Sequence, residues 1–394
     1  MQAAAASGSI RRLVSRRYLA WQAAASCTFF QAIFFVYYAE RAGLTASTVL
    51  FLQSGNTALR ALLDLPLGAL ADRTSRKGCL AGGMGCAFVG TALLLAAPAL
   101  GTAIAAEALF GIAAALRSGA DSALLFDTLR ADGQVALYAR TESRAQAAAS
   151  LGSGASAVVG SLLAAVDLRL PYAATLLSTG VGAALALGLD ERRAPADGAS
   201  LRRGRMRDAA RTVATTPALR WAVAVAVLAI VGSHVYYFLQ QPWLRDLGVP
   251  LAAFGAIFAA TKVVTALVNA VAHRVDERLG PRGATATMAA VPAVGLAAMA
   301  ASASPLASVL LLSRGLLDGL WMPLVNVNVN RLVPSSLRAT TLSLQSVAAR
   351  LSLSAALALL GVATAKVGVA TTLGVSAAVV AAAGAVLVST APRR

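Results

Sequence analysis

The chain has 394 residues, of which 58% are hydrophobic and only 13% are charged. Soluble proteins carry about 25% charged residues, so this composition excludes a disordered protein and argues against a soluble multidomain enzyme. At about 20 apolar residues per membrane crossing, the chain has room for about a dozen spans. A formal net charge of +17 would suggest nucleic-acid binding in a soluble protein, but in a membrane protein it is typical of cytoplasmic loops.

Twelve apolar runs of membrane-spanning length follow one another along the chain. They lie at about 18–39, 47–71, 79–97, 101–123, 142–165, 171–189, 219–243, 251–272, 284–301, 306–330, 340–363 and 368–390. If the N-terminus is cytoplasmic, the inside segments hold 25 of the 34 basic residues, the outside segments hold four, and five lie within spans. This bias predicts an all-α integral membrane protein with twelve transmembrane helices and both termini in the cytoplasm. It also explains the net charge, so no nucleic-acid partner is expected, although the basic loop near the middle leaves that alternative open.

That loop, at 191–218, is the longest connection and divides the chain into two six-helix halves, 1–190 and 219–394. Residues recur between the halves at a spacing of about 200. Val36-Tyr37-Tyr38 is echoed by Val235-Tyr236-Tyr237, and the Arg117 and Asp121 pair is echoed 197 residues later. Such ordered recurrence indicates a duplication. Two parallel six-helix repeats are the plan of a large transporter class, whose substrate site lies near the bilayer midplane.

The loop after the second predicted span carries the most specific motif, Gly68-Ala-Leu-Ala-Asp72-Arg73-Thr-Ser-Arg76-Lys77. It resembles the signature of the major facilitator superfamily between helices two and three: glycine, three residues, aspartate, a basic residue, two residues and two basic residues. A degenerate second copy lies at 273–282, one residue longer, with Ala272 in place of the glycine. Through the repeat, the resemblance covers the whole chain.

In that family the signature loops latch the halves in one conformation, so the resemblance implies a switching role without substrate contact. The residues to which this role is carried over are Gly68, Asp72, Arg73, Arg76, Lys77, Asp276, Arg278, Gly280 and Arg282. A glycine also allows a neighbouring helix to approach closely, which we expect at Gly68. The alternative is a cytoplasmic loop with incidental ion pairs.

The fourth and fifth predicted spans resemble the family only in part. Arg117 stands where the family often has a basic residue that influences proton coupling, but the usual glutamine-glycine context is missing. The fifth span has small residues suited to close helix packing between Gly152 and Gly160. It lacks the glycine-proline pair of the drug/proton antiporters, which weakens an efflux function.

Ionisable side chains inside spans cost several kcal/mol and usually face a partner or a cavity. Three acid–base pairs have the i, i+4 spacing that places both members on one helix face, whereas the chain has no opposite charge one turn from Glu107 or Lys262. A buried carboxyl such as Glu107 is a candidate proton carrier, because burial favours its neutral form. The candidates for coupling are Arg60, Asp64, Glu107, Arg117, Asp121, Lys262, Arg314, Asp318, Arg350 and His234. The alternative is a set of static ion pairs and, for His234, an ordinary hydrogen bond within the helix.

Aromatic and amide side chains near the ends of the first, seventh and tenth spans are candidates for a cavity or gate. They are Gln31, Phe34, Tyr37, Tyr236, Trp321 and Asn326. The tyrosines are equally consistent with an aromatic belt at the membrane interface, and Phe34 with a lipid-facing surface.

The chain has no Walker motif, because none of its three lysines precedes serine or threonine, and two histidines 39 residues apart do not indicate a metal site. We therefore expect a transporter that is not an enzyme, with no cofactor or metal, working as a monomer in the bacterial inner membrane. The expected function is alternating-access transport, with proton-coupled export of a small apolar or amphipathic compound favoured. The alternatives are a proton-coupled or facilitative importer of a metabolite and a non-transporting sensor or scaffold.

Overall fold

The computed structural model describes residues 16–192, 211–321 and 335–391, apart from the side chains of 273, 275–277, 281 and 335–343. Throughout these ranges every regular element is a helix. The helices are α1 (16–26), a 3₁₀ turn (Phe29–Ala32), α2 (Phe34–Ala42), α3 (Ala46–Arg73), α4 (Arg76–Ala96), α5 (Leu100–Arg117), α6 (Ala120–Ala131), α7 (Tyr138–Val166), α8 (Leu170–Leu187), α9 (211–215), α10 (Pro217–Asp246), α11 (Leu251–Ala301), α12 (312–321) and α13 (Ser335–Ser389). Two more 3₁₀ turns lie at Val135–Leu137 and Pro305–Leu311.

Eight helical segments of the described ranges are long and apolar enough to cross a membrane. A ninth results if the first helical pair, 16–32 and 34–42, is one span bent by 54°. The all-helical, multi-pass architecture expected from the composition is therefore confirmed. The count of twelve spans and the cytoplasmic termini stay predictions.

Two glycines divide the longest helices at places where the sequence predicts a boundary between spans. Gly280 in α11 has φ 64° and Gly368 in α13 has φ 77°, values in the left-handed region that glycine adopts without steric cost. Each glycine separates two helical segments. A third break, at Gly119 with φ 73°, separates α5 from α6 inside the predicted fourth span.

The chain divides into two compact units. The N-terminal unit comprises Met1–Leu44, Ala58–Asp197 and Leu251–Gly255, and the C-terminal unit comprises Thr45–Thr57, Gly198–Pro250 and Ala256–Arg394. The units differ from the predicted halves by two short exchanged segments, which are the first turns of α3 and α11. Hydrogen bonds fix both of them: Ser161 Oγ donates to the Ala252 carbonyl at 3.0 Å, and Ser54 Oγ donates to the Ser354 carbonyl at 2.8 Å.

In the N-terminal unit, small residues of α7 bring it against the first span. A Cβ atom at Gly160 would overlap the Phe29 carbonyl, and one at Gly152 would lie 3.1 Å from the Ala23 carbonyl. The close packing expected of the fifth span is therefore present. Within the N-terminal unit, no neighbouring described helix comes within 4 Å of the place that a Cβ at Gly68 would occupy, so the close approach expected there is not seen in this unit.

In the C-terminal unit, α10 packs against α13 around an apolar core that includes Trp221. The indole Nε1 of Trp221 donates to the Leu387 carbonyl at 2.8 Å. The short helix α12 lies directly against α11. A Cβ atom at Gly315 would stand 2.7 Å from the Thr261 carbonyl, and one at Gly319 would stand 2.8 Å from the Thr265 carbonyl. Glycines four residues apart form one smooth helix face that permits this contact.

Candidate functional site

The C-terminal unit contains a buried ion pair between Arg314 and Asp318, one turn apart on α12. Arg314 Nε lies 3.4 Å from Asp318 Oδ2, and the two side chains are only 8% and 14% exposed. Ser233 Oγ of α10 donates a hydrogen bond to Asp318 Oδ1. The Arg314 guanidinium also lies 4.9 Å from the centre of the Tyr237 ring, so the pair is enclosed by the seventh and tenth predicted spans.

Lys262 of α11 is the second cation of this cluster. Its Nζ stands 5.4 Å from the centre of the Phe258 ring, and it interacts electrostatically with both Arg314 and Asp318. Among the described side chains, no carboxylate lies within 4.0 Å of Lys262 Nζ. We call the set of Lys262, Arg314 and Asp318 the charged cluster.

The local sequence explains why these groups meet. The i, i+4 spacing of Arg314 and Asp318 places both on one face of α12. Gly315 follows Arg314 and Gly319 follows Asp318, and these glycines let α12 approach α11. The approach brings Lys262 of α11 close to the ion pair. This glycine pair was not among the residues predicted from the sequence, although its four-residue spacing inside an apolar helix is a recognisable packing signal.

Other candidates of the C-terminal unit lie around the charged cluster or outside the described residues. His234 donates a hydrogen bond from Nδ1 to the Ile230 carbonyl of its own helix at 2.7 Å, as the ordinary alternative predicted. Trp321 packs against the apolar core, half-buried, and Arg350 is half-buried in α13. Asn326 lies outside the described residues.

The N-terminal unit contains a buried acidic site formed by Glu107 of α5. Tyr38 donates its phenolic hydrogen to Glu107 Oε1 at 2.8 Å, and Glu107 is 5% exposed. Tyr172 of α8 interacts electrostatically with Glu107, and its hydroxyl has no hydrogen-bond partner among the described residues. Because the partner of Glu107 comes from a distant part of the chain, the local spacing around Glu107 did not indicate it.

The two repeat-related tyrosines make equivalent hydrogen bonds. Tyr37 donates to the Leu94 carbonyl at 2.7 Å, and Tyr236 donates to the Pro292 carbonyl at 3.2 Å. Both tyrosines are fully buried, whereas an interfacial belt requires rings that reach the headgroups. The belt interpretation is therefore wrong for these two residues. Each tyrosine connects the first predicted span of its half to the third by this hydrogen bond.

Arg117 and Asp121 form no salt bridge within 4.0 Å, because the helix breaks at Gly119 between them, although the two groups still interact electrostatically. Arg117 instead donates to the Ala25 carbonyl at 3.3 Å and lies 5.7 Å from the centre of the Trp21 ring. Asp121 accepts the backbone N–H of the next residue at 2.8 Å. Like Arg314 over Tyr237, Arg117 thus lies over an aromatic ring from the first helix of its repeat.

The pairing predicted for Arg60 with Asp64 in α3 stays a prediction. Arg60 also lies near Arg117 of α5, with which it interacts electrostatically.

The signature loop forms a network of ion pairs inside the N-terminal unit. Arg76, at the start of α4, is bonded to Asp127 of α6 and lies 3.1 Å from Asp72 at the end of α3. Glu191, after α8, accepts hydrogen bonds from Ser75 Oγ at 2.6 Å and from the Arg76 backbone N–H at 2.8 Å. The sequence indicated Asp72 and Arg76 but missed Asp127 and Glu191, which are distant in the chain.

The remaining signature residues do not join this network. Arg73 is exposed and Lys77 is half-buried. In the second copy, Arg278 and Arg282 are exposed beside the break at Gly280, and the side chain of Asp276 lies outside the described residues. Among the described side chains, the arginines of the second copy are exposed, whereas Arg76 of the first copy is paired.

Two cavity candidates of the first span are part of the packed N-terminal unit. Gln31 Oε1 accepts a hydrogen bond from Ser153 Oγ of α7 at 3.1 Å. Phe34 is 6% exposed, and its ring centre lies 4.8 Å from that of Phe35. This burial contradicts the lipid-facing alternative for Phe34.

The chemistry available at these sites is acid–base and electrostatic. Within the described ranges, no group of three or more His, Cys, Asp or Glu side chains is placed to hold a metal ion. The charged cluster can change its pairing when Asp318 gains a proton, because a neutral carboxyl attracts a guanidinium far less than a carboxylate does.

Comparisons with known proteins agree with this architecture. A family model described as Major Facilitator Superfamily matches residues 19–359, whereas no curated protein matches the chain by sequence. The crystal structure of the nucleoside transporter NupG is similar to the chain with a TM-score of 0.81 at 11% identity, covering 96% of this chain and 98% of that one. The peptide transporter POT in complex with sulfate has a TM-score of 0.72 at 15% identity, with coverages of 96% and 93%. A POT family transporter in complex with 5-aminolevulinic acid has a TM-score of 0.69 at 13% identity, with coverages of 97% and 96%. At such identities the likeness shows the fold alone.

Proposed function

We propose that this chain, which belongs to the major facilitator superfamily, is a proton-coupled secondary transporter of a small amphipathic molecule. The family and the transporter fold support a small-molecule substrate in a lipid bilayer. The proposal adds protons as the coupling ion, alternating access as the mechanism, export as the direction, and a monomer in the bacterial inner membrane as the working form.

The observation that carries proton coupling is the buried pair of Arg314 and Asp318. A charged pair in an apolar span costs desolvation energy, and a purely structural contact could be made by apolar residues instead. Asp318 is the proposed proton carrier. When it is ionised it holds Arg314 at 3.4 Å, and when it is protonated that attraction is lost, so the two states favour different side-chain arrangements.

Glu107 is the second candidate carrier, since it is buried and bonded to Tyr38. A carboxyl oxygen can accept this hydrogen bond whether or not Glu107 carries a proton, so the bond from Tyr38 does not by itself switch with protonation. We therefore assign the main coupling role to Asp318 and a secondary role to Glu107.

The test reconstitutes the full chain in proteoliposomes that trap a pH-sensitive dye. Candidate solutes come from a growth screen on a deletion strain. Proton coupling predicts that a transported solute changes the internal pH and that a pH gradient drives its accumulation, which a protonophore abolishes. Export predicts proton-driven uptake into inverted membrane vesicles, and uptake into right-side-out vesicles would instead support the importer.

The informative variant is Asp318→Asn, with Asp246→Asn at the exposed end of α10 as the matched control. Asp318→Asn should abolish accumulation but retain exchange of solute between two compartments of equal pH. Accumulation that persists in Asp318→Asn and Glu107→Gln contradicts proton coupling through these groups. If no solute moves in the wild type, the sensor or scaffold alternative is favoured.

A further inference from the structure

The charged cluster has more positive than negative charge. With its groups ionised, Lys262 and Arg314 contribute two positive charges and Asp318 contributes one negative charge. The three residues interact electrostatically, and α11 and α12 touch closely at Gly315 and Gly319. The cluster thus has one excess positive charge in an apolar part of the chain.

The carboxylate of Asp318 is already engaged at both oxygens. Oδ1 accepts the hydrogen bond from Ser233, and Oδ2 faces Arg314 Nε. Arg314 is 7% exposed, and its Nη1 is buried with no hydrogen-bond partner among the described residues. Buried charged donors are normally satisfied, and among the described residues this nitrogen is open to a further acceptor such as a bound anion.

We propose that the charged cluster binds the carboxylate of a monoanionic substrate, with Arg314 Nη1 and Lys262 Nζ as donors. A guanidinium and an ammonium together favour carboxylate or phosphate oxygens. One negative charge neutralises the excess, whereas a dianionic phosphate reverses it. This charge balance selects a monocarboxylate.

The aromatic rings beside the cations indicate the rest of the substrate. Tyr237 lies against Arg314 and Phe258 against Lys262, so an anion held by these cations has apolar ring surface next to it. An apolar or aromatic body on the carboxylate gains from contact with such surfaces. The substrate class is therefore a small monocarboxylate with an apolar body, which is amphipathic.

This inference rests on the proposed function, and it is tested by binding alone so that the two can fail separately. The protein is purified in detergent, and its thermal unfolding is followed with acetate, benzoate, octanoate and 3-phenylpropionate at millimolar concentration. The matched neutral amides and inorganic phosphate serve as comparison ligands. Binding to the folded state raises the unfolding temperature, and no proton gradient is involved.

We expect benzoate, octanoate or 3-phenylpropionate to stabilise the wild type and to bind roughly 10- to 100-fold more tightly than its amide, the range typical of a charged hydrogen bond. Arg314→Gln and Lys262→Gln should each remove this preference. Arg314→Lys, which keeps the charge but loses the planar fork, should weaken it. The matched controls Arg220→Gln and Lys366→Gln remove exposed basic groups and should leave it unchanged.

Several outcomes overturn the proposal. They are no stabilisation by any of the four carboxylates, equal binding of acid and amide, equal stabilisation by phosphate, and a preference that is undiminished in Lys262→Gln and Arg314→Lys. If Arg314→Gln does not fold, Lys262→Gln and Arg314→Lys still decide the outcome. Carboxylate binding without proton-driven flux would retain the site and refute only the proton coupling.

Discussion

Neutralising Asp318 should destabilise the protein strongly, because it leaves Arg314 buried without a carboxylate. At 3.4 Å and an effective dielectric constant of about 20, two unit charges attract by about 5 kcal/mol. Breaking a buried pair costs about 3–5 kcal/mol. The amide of Asp318→Asn can still accept the bond from Ser233, so we expect a loss of about 3 kcal/mol in the free energy of unfolding. The double variant with Arg314→Gln should lose less than the sum of the singles, with a coupling of about 2–3 kcal/mol.

The coupling is measured by a double-mutant cycle of reversible unfolding in mixed detergent micelles, followed by tryptophan fluorescence. The pair of Arg192 and Asp132 is the control, because Arg192 is 53% exposed and exposed pairs contribute less than about 1 kcal/mol. A coupling for Arg314 and Asp318 as small as that of the control would refute the conclusion that the charges are held together away from water. The proton-switch argument would then lose its physical basis.

Three further predictions follow from named contacts. Gly319→Val should push α12 away from α11 and lower the free energy of unfolding by about 1–3 kcal/mol, because its Cβ alone would stand 2.7 Å from that of Val268. Thermal unfolding tests this prediction. The control Gly154→Ala, whose new methyl group meets open space, should leave the stability almost unchanged. Asp72→Asn should lower the maximal flux by up to about tenfold, equivalent to 1.4 kcal/mol, with the half-saturating concentration little changed; an equal loss of apparent affinity would contradict its latch role. Tyr37→Phe and Tyr236→Phe should each cost about 1 kcal/mol of unfolding free energy by removing a buried hydrogen bond, and two neutral substitutions would support an interfacial location instead.

The sequence was informative wherever the relevant interaction is local. Helical, membrane-spanning segments follow from apolar runs of sufficient length, and the breaks at Gly280 and Gly368 lie at predicted boundaries between spans. The pair of Arg314 and Asp318 was predictable because one unbroken helix turn joins them. The same spacing gave no salt bridge at Arg117, since Gly119 ends the helix before the turn is complete, and only an electrostatic interaction with Asp121 remains.

Contacts between distant segments were beyond local patterns. Tyr38 lies 69 residues from Glu107, and Arg76 lies 51 residues from Asp127. A single sequence contains no periodicity that specifies which face of one helix meets which face of another. For the same reason, the burial of Tyr37 could not be distinguished from a place at the membrane interface.

The amino-acid sequence by itself determined the helical, membrane-embedded character of this chain and its family, and it predicted the repeat, because these depend on composition, spacing and a contiguous motif. Only the tertiary structure decided which ionisable groups share an environment. It placed Lys262 beside Arg314 through the contact of Gly315 and Gly319 with α11. The physical reason is that desolvation and charge pairing depend on distance in space, and that distance is set by helix packing.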